Sequence, residues 1–235
     1  MLLGVNIDHI ATLRNARGGT EPSVLEAALI CEEAHAHGVT IHLREDRRHI
    51  KDNDVKTLKN ALKCNINLEM AATEEMQKIA LETLPQCCCI VPEKRQELTT
   101  EGGLDVAGQL PKMIGFVKPL VEKGILVSLF IDPSKEQVHA SFETGAPFIE
   151  LHTGAYSEAF GTENEEIEFN KLKEAAEYAQ SLGLKVNAGH GLNYENVHRM
   201  KEIPGLVELN IGHSIVSRAI FKGLKNAIID MKNLI

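Results

Sequence analysis

The sequence has no tryptophan, aromatic residues at only 4%, no Cys-x-x-Cys pair and no surplus of positive charge. Each shortage excludes something. Without a Cys-x-x-Cys pair, neither a zinc ribbon nor a dithiol redox centre is expected. The five cysteines are Cys31, Cys64 and the adjacent Cys87, Cys88 and Cys89, an odd set that suits reduced, buried thiols better than a disulfide framework. Against 33 Asp+Glu stand 25 Lys+Arg, a net charge of −8, which argues against nucleic-acid or membrane-surface partners because both attract basic faces. Long apolar runs are missing too. Ile125 to Ile131 is interrupted by Ser128 and is far too short to span a bilayer. The segment MLLGVNIDHI has no basic region ahead of a long apolar core, so no signal peptide is expected and the cytoplasm is the expected compartment.

What is there is a repeated alternation. Short apolar runs at Leu2–Ile7, Val39–Leu43, Asn65–Met70, Cys87–Val91, Ile125–Ile131, Phe148–Leu151, Leu184–Ala188 and Val207–Ile211 read as parallel strands covered on both faces. Between them, helical periodicity marks Pro22–His35, Thr73–Glu82, Ser134–Glu143, Ile167–Ser181, Tyr194–Lys201 and Ser214–Leu234. Gly38, Gly124, Gly145 and Gly183 stand where helices should end, and Ser134 with Gln137 and Thr73 with Glu74 and Glu75 mark helix starts. Eight such units in 235 residues, about 29 residues each, predict an α/β chain folded as a (β/α)8 barrel. An open doubly wound sheet is the alternative to the barrel, and a single domain over residues 1–235 is expected. Two connections are longer than a bare barrel needs, Pro92–Gln109 and Thr153–Glu166, and read as functional loops or surface decoration.

Polar residues gather at one end of the strands: Asn6, Asp8 and His9 after the first, His42 and Arg44 after the second, Glu69 on the third, Glu150 and His152 on the sixth, His190 and His213 after the last two. Barrel enzymes carry their chemistry at that C-terminal face. Glu69 lies in an apolar strand, where burial raises a carboxyl pKa towards that of a neutral-pH acid/base. Glycines in the stretches Asn187–Gly191 and Asn210–His213 offer backbone N–H groups to an anion at the place where barrels often bind phosphate. A second basic group, Arg14, Arg17, Arg44, Arg47, Arg48 and His49, suits another phosphate or a self-paired surface loop. Two phosphorylated substrates, or one bisphosphate, fit this charge pattern. No strand carries a lysine in its C-terminal half, which disfavours an enzyme-bound Schiff base. His9, His42, Glu69, His190 and His213 could converge on a metal, but the nearby arginines oppose a divalent cation and none is expected.

The stretches GVNIDHIATLRNARG, HLREDRRHI, NLEMA, VPEKRQELTTEGGLDV, VSLFID, IELHTG, LKVNAGHGLNY and ELNIGH together resemble the pyridoxine 5′-phosphate synthase family, in that family's order and spacing along the whole chain. The resemblance implies a (β/α)8 barrel with a few extra helices, a homo-octamer, and no cofactor. It also implies condensation of 1-deoxy-D-xylulose 5-phosphate with 3-amino-2-oxopropyl phosphate, releasing phosphate and water. By motif, Asn6, Arg17, Gly191, Gly212 and His213 would contact the aminoketone phosphate. Asp8, His9, Arg44, His49 and Thr99 would hold the deoxyxylulose phosphate. His42 and Glu69 would be proton acceptors, His190 a proton donor and Glu150 a transition-state stabiliser. The rival readings are a sugar-phosphate isomerase or epimerase with Glu69 as base, and a catalytically silent phosphometabolite-binding protein.

Overall fold

The computed structural model describes residues 1–93 and 102–235. Eight strands, β1 (Leu2–Asn6), β2 (Gly38–His42), β3 (Asn65–Met70), β4 (Cys87–Ile90), β5 (Leu126–Ile131), β6 (Phe148–His152), β7 (Lys185–Gly189) and β8 (Leu206–Ile211), pair in parallel in chain order. β1 bonds to both β2 and β8, closing the barrel and excluding the open sheet. The surrounding α-helices are α1 (Asp8–Arg17), α2 (Val24–Glu33), α3 (Asp52–Ala61), α4 (Glu74–Thr83), α5 (Leu110–Glu122), α6 (Lys135–Glu143), α7 (Gly154–Ala159), α8 (Glu165–Ser181), α9 (His213–Lys222) and α10 (Leu224–Lys232). Among the described residues no helix is long and apolar enough to cross a membrane.

Strand side chains alternate between two faces. Outward-facing Val5, Ile41, Leu68, Ile90, Leu129, Ile149 and Val186 are fully buried in one continuous core beneath the helices. Fully burying each such side chain is worth about 1.5–3 kcal/mol. Inward, the pattern reverses. Thr40, Cys89, Glu150 and Asn210, one from each even-numbered strand, fill a layer of four. They bond across it: Asn210 Nδ2 donates to Glu150 Oε2 at 2.7 Å, Thr40 Oγ1 to Asn210 Oδ1 at 2.9 Å, and Cys89 Sγ to Glu150 Oε2 at 3.8 Å. Deeper, Glu208 lies 3.5 Å from His37 Nε2 at the N-terminal end, and burial pushes its carboxyl up to about 7. The strands are therefore apolar outside and polar inside, a division hidden by reading them as unbroken apolar runs.

Elsewhere the structure refines the expected elements. The N-caps form, with Gln137 N–H donating to Ser134 Oγ at 3.2 Å and Met76 N–H to Thr73 Oγ1 at 3.4 Å, but the Gln137 side chain accepts the Val106 and Ala107 N–H groups instead of closing a capping box with Ser134. All five cysteines are free. Before β2, however, the left-handed residue is His35 (φ 55°), while Gly38 already belongs to the strand, where a Cβ would stand 3.0 Å from Asn65 O. The stretch after β7 closes as a short 3-10 helix, Val197–Glu202, behind an Asx turn in which Asn193 Oδ1 accepts the Glu195 and Asn196 N–H groups. The long connection from Thr153 contains α7. The expected helix Ser214–Leu234 is two helices, because Gly223 (φ 77°, ψ 148°) turns the chain back and lets Arg218 pair with Asp230 at 2.6 Å. That turn leaves Ile220 and Phe221 exposed at 76% and 89%.

Candidate active site

Asn6 ends β1 and ties the first strand end to its neighbours. Its Nδ2 donates to Asp8 Oδ2 at 2.9 Å and reaches Glu69 Oε2 at 3.4 Å, while its Oδ1 accepts the Asp8 N–H at 2.9 Å. Asp8 Oδ1 in turn accepts the His42 backbone N–H at 2.9 Å, linking α1 to β2. His42 Nδ1 faces Glu69 Oε2 at 3.9 Å. Asn6, Asp8, His42 and Glu69, expected from separate motifs, thus form one cluster. Burial, with Asp8 and Glu150 as like-charged neighbours, raises the Glu69 carboxyl well above its ordinary value. Burial also pushes Glu150 up to about 7, with Glu208 adding to the rise against the opposing Asn210 hydrogen bond. Glu150 sits at the middle of β6 rather than at its end. The cluster therefore holds a protonatable carboxyl beside an imidazole, the chemistry of general acid/base exchange.

Around it stand two places for anions, on either side of β1. Beside β2, His49 Nδ1 lies 3.8 Å from Asp8 Oδ1 and accepts the Ile50 N–H at 3.0 Å, so Nε2 is its donor; burial lowers its pKa. Arg44 is buried and its Nε lies 3.5 Å from Asp46 Oδ1. Beside β8, Gly212 leads into α9, whose first residue, His213, has its Nδ1 3.4 Å from His9 Nε2. Burial, with His213 adding to it, lowers the His9 pKa. A Cβ on Gly212 would stand 2.9 Å from Asn6 Cβ, so only glycine lets the loop pass here. A helix start there offers its first N–H groups and the positive end of its dipole to an anion.

Across the mouth, His190 holds a left-handed backbone (φ 85°) after β7, with Thr153 Oγ1 donating to its carbonyl at 2.6 Å. Such strained residues concentrate at functional sites. Its ring packs 5.1 Å from that of His152, which pairs with Asp132 at 3.0 Å. Burial, and then His152, lower His190 to about 4, so it is neutral at neutral pH. Gly191 beside it has φ 78°.

Not every expected residue joins this group. Arg17 is exposed in the last turn of α1, nine residues beyond Asp8 and about 13 Å further along the helix axis. Thr99 lies outside the described residues. Within the basic group, Arg14 is spent on Asp54 at 2.7 Å, Arg47 on Asp52 at 3.0 Å and Arg48 on Asp46 at 2.6 Å. Those three follow the self-paired reading. Asp8, His42 and His49 place donor atoms within 4.8 Å of one another, a set able to hold a metal, though Asp8 and His49 already accept backbone N–H groups. Two residues were missed: Glu93, bonded to His42, and Asp132, bonded to His152. Both stand just past a strand, after β4 and β5, where the strand-end rule would have found them.

The family model of pyridoxal phosphate biosynthesis protein PdxJ matches residues 3–235. The pyridoxine 5′-phosphate synthases of Photobacterium profundum and Aliivibrio fischeri are 58% and 59% identical to this chain, over 99% and 100% of it and 96% of each relative. Among solved structures, tryptophan synthase subunit alpha from Legionella pneumophila aligns with a TM-score of 0.66 at 10% identity, over 99% of this chain and 92% of that one. Phosphoribosyl anthranilate isomerase from Thermus thermophilus gives 0.61 at 14% identity over the whole of both chains. Identities that low speak for the barrel alone. The family model and the relatives reach along nearly the whole chain, and the chain belongs to the pyridoxine 5′-phosphate synthase family.

Proposed function

We propose that this chain, as one catalytic domain, joins 1-deoxy-D-xylulose 5-phosphate and 3-amino-2-oxopropyl phosphate into pyridoxine 5′-phosphate, releasing inorganic phosphate and water. The observation that carries the reading is the His42–Glu69 pair, 3.9 Å apart, which we place between two groups of residues suited to phosphate. One substrate phosphate goes to Arg44 and His49, with Asp8 and His9 on its sugar, and Thr99 is assigned to the same substrate by motif alone. The other goes to Gly191, Gly212 and His213, with Asn6 beneath it; Arg17, exposed at the far end of α1, is assigned to the same phosphate by motif alone. The aminoketone brings its own amine, so no enzyme lysine or cofactor has to form the imine. His42 and Glu69 take protons as the carbon and nitrogen centres rearrange. His190, neutral when the site is empty, gains proton affinity when a phosphate dianion docks beside it and then donates. Glu150 stabilises charge from below.

Self-association as a homo-octamer belongs to the same reading. Leu13, Ile220 and Phe221 are exposed at 62%, 76% and 89%, and a second copy would cover them. A cytoplasmic location is part of the same reading.

The test incubates purified protein with both substrates and follows pyridoxine 5′-phosphate and inorganic phosphate. Equimolar appearance of both is expected, and neither substrate alone should be consumed. Folded protein that binds both substrates but forms no product would overturn the reading. Turnover of a single sugar phosphate would favour an isomerase or epimerase.

A further inference from the structure

Glu93 follows β4 and reaches across the mouth to β2. Its Oε1 lies 2.9 Å from His42 Nε2, and its Oε2 accepts the Glu45 N–H at 3.1 Å. The two side chains are nearly closed to solvent, 7% exposed for His42 and 5% for Glu93. Burial pushes the Glu93 carboxyl up, but the hydrogen bond and charge of His42, the Glu45 N–H and Arg44 outweigh it and hold Glu93 below its ordinary value. An ionised carboxylate only accepts, so the hydrogen of the neutral imidazole stands on Nε2. The ring's lone pair is then on Nδ1, which faces Glu69.

We infer that Glu93 is a positioning residue that fixes His42 as the Nε2–H tautomer, aims Nδ1 at the proton to be removed, and stabilises the imidazolium that results. The inference rests on His42 being a proton acceptor. The proton passes from substrate to Nδ1, the Nε2 hydrogen stays in place, and Glu93 remains ionised throughout, as the carboxylate does in a Ser-His-Asp triad. Among the described residues, the charged and titratable groups around His42 are Asp8 from α1, Glu69 from β3, Arg44 and His49 from the stretch after β2, and Glu93. Asp8 engages the His42 backbone rather than its ring. Among the described residues, the hydrogen bond at Nε2 is to Glu93. A purely structural role, anchoring the chain through Glu45, would leave the imidazole indifferent to the charge.

The full-length protein labelled with 15N-histidine separates these roles. H42N assigns the ring signals. The unsubstituted protein should show a pyrrole-type nitrogen at Nε2 and a pyridine-type nitrogen at Nδ1, and a protonated Nδ1 in the neutral ring would overturn the inference without any further variant. E93Q keeps the shape and an acceptor for Glu45 but loses the charge. It should mix the two tautomers, move the acid limb of kcat to lower pH, and cut kcat by about 10–100-fold, less than the 10²–10⁴-fold expected for losing a general base outright. KM should change by less than about 3-fold. E93D, which keeps the charge on a shorter arm, should recover part of kcat and the single tautomer. Unchanged ring signals and pH profile in E93Q defeat the inference alone, provided H42N is inactive. Normal turnover in H42N defeats the reading of His42 itself.

Discussion

Outward from β3 and β4, Ile66, Leu68, Met70, Cys88 and Ile90 are exposed by 1% or less against the helices. Inward from the same strands, Asn67, Glu69 and Cys89 meet polar partners on other strands: Thr40 at 3.5 Å, Asn6 at 3.4 Å and Glu150 at 3.8 Å. The two faces share backbone, register and neighbours, and differ only in which way each Cβ points. The outer face supplies the apolar burial that holds the barrel shut. The inner face spends part of that stability on groups whose protonation can change. Burying a polar group costs free energy unless it is bonded, and the interior answers with a chain of hydrogen bonds rather than with separate pairs.

Adjacent residues offer the sharpest way to break that contrast. Glu69→Gln should lower turnover by about 10²–10⁴-fold with substrate affinity retained. Leu68→Ala, one residue away, should cost about 2–5 kcal/mol of unfolding free energy while the folded fraction keeps its turnover. Denaturant unfolding and steady-state kinetics on both variants decide it. If the two swapped signatures, the division of labour between the faces would be wrong.

The next largest effect concerns Glu208. Its carboxyl titrates near 4.5 when unfolded and at about 7 when folded. As pH rises between those values the unfolded chain releases its proton first, so stability declines across that window and then levels off. Glu208→Gln removes this loss. Thermal unfolding should show a gain of up to about 3 kcal/mol at pH 8, from about 1.4 kcal/mol per pKa unit, and almost none at pH 4. An equal gain at both pH values would show that packing, not ionisation, is responsible.

The smallest contrast lies within the cysteine run. Cys88 is part of the apolar outer core, whereas Cys89 faces Glu150. Cys88→Ser buries a hydroxyl among aliphatic side chains and should cost about 1–3 kcal/mol. Cys89→Ser finds a carboxyl acceptor and should cost less than about 1 kcal/mol. Urea midpoints at fixed pH measure the difference.

Much of this was legible in the sequence, for identifiable reasons. Outward side chains mark each strand with branched or long aliphatics, and strands flanked by such residues at Ile66–Met70 or Leu129–Ile131 leave little choice of element. Asn6, Asp8, His42 and Glu69 could be expected together because each ends or follows a strand, and a closed parallel barrel brings those ends to one rim. What stayed hidden depends on contacts distant in sequence. The register that sets Cys89 opposite Glu69, and so faces it inward, becomes visible only once β3 pairs with β4. The break at Gly223 is masked because the apolar stripe continues on both sides of that glycine, and the Arg218–Asp230 pair that closes the turn joins residues twelve apart. His35 takes over a role expected of Gly38 since the latter is needed where its strand passes close to Asn65.

The layer formed by Thr40, Cys89, Glu150 and Asn210 also has a consequence for anyone redesigning this scaffold. A procedure that optimises packing would fill those four places with valine, isoleucine and leucine, the usual occupants of a barrel interior. The result would resist heat better and would have lost the hydrogen-bonded polar layer beneath Glu69. Heat resistance, used alone as a selection, would therefore steer variants of this enzyme towards inert barrels, and any library built on it needs an activity screen run in parallel.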